Sequence, residues 1–138
     1  MTFSTRSYIH CMNERKSITK ELIEIIQKSQ VISRLKITPK DVRIGVFYTG
    51  VVLSTGHAGM SYTPAQEIPE AVCCPRSHAK MPQAGNLLNF PVTDLMEYAL
   101  DDNVLKASVG IATINALSAI LLEDDHCPYK PSAYGNAL

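Results

Sequence analysis

The residues best suited to chemistry in this chain are its thiols and imidazoles, and they fall in three places. Cys73 and Cys74 are adjacent with His78 four positions on, His10 precedes Cys11, and His126 precedes Cys127. Thiolate sulfur and imidazole nitrogen are the donors that soft and borderline metals such as zinc, copper(I) or cadmium prefer. Cys73, Cys74 and His78 share one proline-punctuated stretch and can converge on a single ion, so they form the candidate metal set. No C-x-x-C spacing is present, and adjacent cysteines bind one ion awkwardly. The plainer reading is therefore ordinary loop cysteines beside a solvated histidine. The two terminal pairs lie in polar, irregular stretches and rank lower.

A second group of candidates is suited to a small ligand. Ser54-Thr55-Gly56-His57-Ala58-Gly59 is glycine-bearing and can turn backbone N–H groups toward an anion. It is neither a G-x-G-x-x-G nor followed by a helix, which favours a plain hairpin turn with His57 at its tip. As ligand or base, His57 needs a carboxylate partner that the sequence does not reveal. Asn115 stands among apolar residues, where a buried amide must be hydrogen-bonded. A structural bond to a neighbouring strand or loop, with the turn at Gly85 as one partner, competes with a role lining a cleft. Thr49, Tyr62 and Thr63 fall at strand ends, where cleft residues often lie. The sequence holds no H-E-x-x-H, P-loop, nucleophile elbow or readable pair of catalytic carboxylates.

These residues need a scaffold. With 138 residues, 46% of them hydrophobic and 19% charged, the chain is the size of one packed domain. Thirteen basic residues balance thirteen acidic ones. No field draws nucleic acid or an anionic membrane, and nothing repels a second copy at long range. No uninterrupted apolar stretch reaches bilayer length and no signal peptide is evident, so the expectation is a cytoplasmic protein with reduced cysteines.

The apolar spacing predicts a helix from Ser17, its N-cap, with Ile18, Leu22, Ile25 and Ile26 inward. Thr38-Pro39 ends it. Alternation through Val42, Ile44 and Val46, then Val51-Val52-Leu53, then Ala58 to Thr63 predicts three strands in an antiparallel meander. Residues 64–91 carry five prolines and no period, the pattern of a long functional or mobile loop. A short helix to about Leu100 follows, with Leu95, Met96 and Ala99 inward. Asp101-Asp102-Asn103 then offer an N-cap to a helix over Val104 to Leu122, apolar nearly all round and so buried on several sides. The expected fold class is α+β. Residues 1–16 form a loose lead-in, 17–122 the domain, and 123–138 a tail or linker.

Three segments carry a family resemblance. Val42 to Val51 is similar to a first hairpin, Gly56 to Thr63 to a glycine-rich third strand, and Ala107-Ser108-Val109-Gly110-Ile111-Ala112-Thr113-Ile114-Asn115-Ala116 to an A-S-x-G-x-A-x-x-N-A helix. Gly85-Asn86-Leu87 fits the glycine before the second helical region. On these, the chain resembles the N-terminal domain of the two-domain family called "Putative heavy-metal chelation". The resemblance implies an enolase N-terminal-like fold, a Rossmann-like second domain, and a ligand or metal site in the cleft between the two. The chain ends at Leu138, where that second domain would begin, so it is expected to supply one wall of the site.

From this come three functional expectations. The first is a module binding a small ligand or a transition or heavy-metal ion. Its site would use Thr49, Gly56, His57, Gly59, Tyr62, Thr63, Gly85 and Asn115, with Cys73, Cys74 and His78 for metal. The second is an enzyme completed by a second domain or subunit, and the third a homodimerisation domain. Either alternative leaves an apolar face for a partner.

Overall fold

A computed structural model describes residues 18–67, 81 and 83–124. Helix α1 occupies 18–28, α2 Val31–Leu35, and strands β1, β2 and β3 Pro39–Ile44, Tyr48–Leu53 and Ala58–Tyr62. Single 3₁₀ turns at Ala65–Glu67 and Leu87–Asn89 precede α3 (Val92–Glu97), which tightens into a 3₁₀ turn at Tyr98–Leu100. Helix α4, Val104–Glu123, closes the described fold. The fold is α+β, with an antiparallel sheet in the order β1-β2-β3.

The two hairpins are set by local chemistry. Gly56 takes φ 88°, closing a tight turn in which its N–H donates to the Leu53 carbonyl and Leu53 N–H donates to His57. A left-handed glycine at that position is the usual way to end a three-residue hairpin loop. The first hairpin turns through Gly45-Val46-Phe47, with Gly45 N–H donating to Tyr48. Val46 therefore lies in an exposed turn and does not continue the alternation of β1.

Alternation does divide β2. Thr49, Val51 and Leu53 are buried, whereas Tyr48 faces solvent and Gly50 and Val52 are half-buried. The buried face packs on α4, which is covered from its other sides by α3 and the Tyr98–Leu100 turn. Asn103 caps α4 by accepting from Leu105 and Lys106 N–H at 3.0 and 3.2 Å. Capping here removes orphan donors from the first turn of the core helix.

Three expectations need correction. The inward face of α1 is Ile23 and Ile26, while Ile18, Leu22 and Ile25 face solvent. Apolar doublets at 22–23 and 25–26 give that helix two stripes, and tertiary packing selects one. The helical region also does not run unbroken toward Pro39. Gln30 at φ 54° interrupts it and Lys36 at φ 49° ends α2, both left-handed non-glycine positions. Finally, α4 is long and apolar enough to cross a membrane by length and composition. In this fold it is instead the central core helix, with Leu105, Val109, Ala112, Ala116 and Leu117 buried.

Candidate functional site

Strand β3 runs antiparallel to α4, and the two touch more closely than ordinary side chains allow. A Cβ placed on Gly59 would lie 2.1 Å from the Ala112 carbonyl oxygen and 2.4 Å from the Ala116 nitrogen. On the opposite side of the helix, a Cβ on Gly110 would lie 2.0 Å from the Ala99 nitrogen. Two glycines thus let backbone meet backbone on both sides of one helix.

The polar residues of the same stretch serve the same contact. Asn115 Nδ2 donates to the Met60 carbonyl at 2.8 Å, and the Ser108 hydroxyl lies 3.1 Å from the Tyr62 carbonyl and 2.9 Å from that of Val104. Ser61 Oγ donates back to the Ser108 carbonyl at 2.6 Å. Hydrogen bonds from Leu53 to His57 and from Thr63 to Phe47 turn the odd-numbered residues of β3 toward β2. The carbonyls of Met60 and Tyr62 therefore point to the open edge of the sheet, where α4 side chains satisfy them. Covering an edge in this way blocks strand addition. Asn115 is exposed, and its partner is β3, not the Gly85 turn.

Where β3 ends and α4 begins, the surface forms an open apolar groove of about 320 Å³. Ser61, Tyr62 and Pro64 line one side, Val104, Ala107 and Ile111 the other, and among the described residues Glu67 is the single charged one lining it. A second concavity, about 470 Å³, lies between α1 and the end of α3 and is lined mainly by polar and charged side chains. Its Asp101 carboxyl is held below the ordinary carboxylate range, chiefly by the Asn103 N–H, which donates to it at 2.8 Å. Burial opposes that shift, and Lys106 at 3.2 Å adds to it.

The residues singled out from sequence do not form one cluster. Tyr62 lines the groove. Thr49 and Thr63 lie near it but are buried, their hydroxyls bonded to each other at 2.8 Å. Gly59 and Asn115 belong to the strand–helix contact. Gly56 and His57 sit at the far end of α4, about 20 Å from Ser108 along the helix at ~1.5 Å per residue. Gly85, at φ 82°, is an exposed turn residue ahead of the Leu87–Asn89 turn.

His57 does have the carboxylate partner that sequence spacing hides. Its Nε2 lies 2.7 Å from Glu123 Oε2 and its Nδ1 2.9 Å from Thr55 Oγ1. Glu123 is 66 positions away and ends α4, so only the fold brings the pair together. The arrangement ties the second hairpin to the end of the core helix.

Cys73, Cys74 and His78 lie outside the described residues, as do Ser17 and the pairs His10-Cys11 and His126-Cys127. Among the described residues, no group of three or more histidine, cysteine, aspartate or glutamate side chains is placed to hold a metal ion. The sheet–helix scaffold thus supplies no cation cage of its own.

A family model described as "Putative heavy-metal chelation" matches residues 28–118, two-thirds of the chain. The chain belongs to this family. The matched span takes in both hairpins, the groove, the stretch with Cys73, Cys74 and His78, and α4 through Ser118. It leaves out His10-Cys11 and His126-Cys127. No curated protein and no solved structure matches the chain.

Proposed function

We propose that this protein binds a soft heavy-metal ion through Cys73, Cys74 and His78, on a wall built from the end of β3, the Pro64–Glu67 turn and the start of α4. The observation that carries this reading is the extent of the family match. It encloses one of the three cysteine–histidine groups and excludes the other two. The donor chemistry agrees, since two thiolates and an imidazole suit zinc, copper(I) or cadmium better than magnesium or calcium. Cys73 and Cys74 would hold such an ion through coordinate bonds from thiolate sulfur, and His78 through an imidazole nitrogen.

Chain connectivity ties the donors to the scaffold. The segment bearing them leaves the described fold at Glu67, which lines the groove, and re-enters at Met81, which is buried in the core. A groove with a single charge at an open sheet end is suited to being one wall of a larger cleft. In this reading a second domain or subunit supplies the other wall, and the remaining coordination positions are filled from there or by water.

The test is the metal content of the purified, reduced full chain, compared with Cys73→Ala, Cys74→Ala and His78→Ala. The reading expects stoichiometric zinc or copper in the parent and its loss on removing either thiol. Binding unchanged in all three variants would refute it. An enzymatic reading has one specific observation behind it, the His57–Glu123 pair. That pair stands at the other end of α4 from the groove, so it favours a site separate from this one.

A further inference from the structure

Across β2 and β3 the outer face of the sheet is an apolar surface on which none of the described residues packs. Tyr48, Met60 and Tyr62 are 61, 60 and 59% exposed, and Phe47 at the adjoining turn is 69% exposed. Register places Tyr48 beside Tyr62 and Gly50 beside Met60 across the β2–β3 pair. Gly50 is a notch, because a Cβ built there meets nothing within 4 Å. The outward Met60 is a flexible knob directly next to that notch. A knob and a notch side by side on neighbouring strands form a self-complementary pattern. A two-fold axis between them seats Met60 of each copy over Gly50 of the other, with the tyrosines stacked around.

We infer that this face binds a second copy of the same chain. Charge supports this occupant. The outward residues of β2 and β3 are uncharged, and the neighbouring strand carries Lys40, Asp41 and Arg43, of which Asp41 and Arg43 are paired at 2.8 Å. Such a pair can exchange partners across a two-fold axis, whereas an acidic or basic macromolecule finds no complementary field here. The area is also appropriate. Four side chains of this size and exposure present on the order of 400–500 Å² of mainly apolar surface per copy. Stable dimers bury about 800 Å² per partner, so the contact falls at the weak end and dissociates on dilution. The face shares Tyr62 with the groove, but the contact centres on Met60 and Gly50, and neither β2 nor β3 contributes a thiol.

The experiment is sedimentation velocity of the full chain across a concentration series, with two substitutions that leave the inner sheet face untouched. The parent is expected to shift from monomer to dimer as concentration rises. Met60→Lys is expected to weaken that equilibrium at least about tenfold by putting an unpaired charge in the contact, and Gly50→Asp to a similar degree by filling the notch with a carboxylate beside Arg43. An equimolar mixture of the two variants is expected to restore the dimer, because one contact becomes an ion pair and the other keeps its native residues. Far-ultraviolet circular dichroism confirms that each variant is folded. A parent that stays monomeric overturns the inference, as does a dimer unaffected by either charge. A mixture that fails to recover from two folded, monomeric variants also overturns the knob-and-notch arrangement.

Discussion

Replacing Gly59 with alanine adds one methyl group at the tightest point of the fold. The new carbon would lie 2.1 Å from the Ala112 oxygen, where an ordinary contact is about 3.5 Å, so α4 must retreat from β3 by more than ~1 Å. Neither obstructing atom belongs to a side chain that can swing away. Overpacking of this kind costs about 1–3 kcal/mol. The retreat also lengthens the bonds from Asn115 to Met60 and from Ser108 to Tyr62, each contributing about 1 kcal/mol. The expected loss is ~3–5 kcal/mol, a large part of the 5–15 kcal/mol that stabilises a typical domain. Gly50→Ala is the matched control on the same sheet, since its added carbon meets no neighbour. It should be neutral or stabilise by up to ~1 kcal/mol, because alanine loses less backbone freedom than glycine on folding. Urea unfolding followed by circular dichroism, at low micromolar protein, measures both. Equal stability of the two variants would refute the close-approach argument.

Further expectations follow from the same structure. Gly110→Ala drives a carbon to 2.0 Å from the Ala99 nitrogen and should destabilise to a similar degree as Gly59→Ala, read by the same unfolding curve. Asn115→Ala removes a single bond at an exposed position and should cost only about 0.5–1.5 kcal/mol, leaving metal content unchanged. Asp101 has a folded-state pKa below its unfolded value, so its contribution is present above the usual carboxylate range and lost as pH falls through the folded pKa. Its side chain is 35% exposed, so Asp101→Asn should cost less than ~1 kcal/mol at neutral pH, with the difference closing in strongly acidic buffer. His57→Gln breaks the tie to Glu123 and should lower thermal stability slightly while leaving bound metal intact.

The order of elements was readable from sequence because each rests on local chemistry. Asn103 caps α4, Gly56 turns the second hairpin, and the run Val51-Val52-Leu53 marks the second strand. The inward face of α1 was not readable, since Leu22-Ile23 and Ile25-Ile26 offer two equally apolar stripes. Val46 extends an alternating run on paper, but a hairpin must turn somewhere and Gly45 places the turn there. The family motif in α4 was legible as a motif and not as a device. For Asn115 the sequence left a structural bond to a strand or loop beside a cleft role, and the fold places both it and Ser108 on the edge carbonyls of β3. The pairing of His57 with Glu123 is a long-range contact that no local spacing encodes. Of the residues expected to share one site, only Tyr62 lines the groove, and the others are spread from the Gly85 turn to the far end of α4.

The central claim is that this chain holds a soft metal through the thiols of its middle segment. Elemental mass spectrometry of the reduced, purified protein tests it most directly, with Cys73→Ala/Cys74→Ala beside the parent. One equivalent of zinc or copper in the parent and none in the double variant is the expected result. A parent that carries no metal and takes up none when offered zinc or copper(I), or a double variant that retains it, would contradict the account.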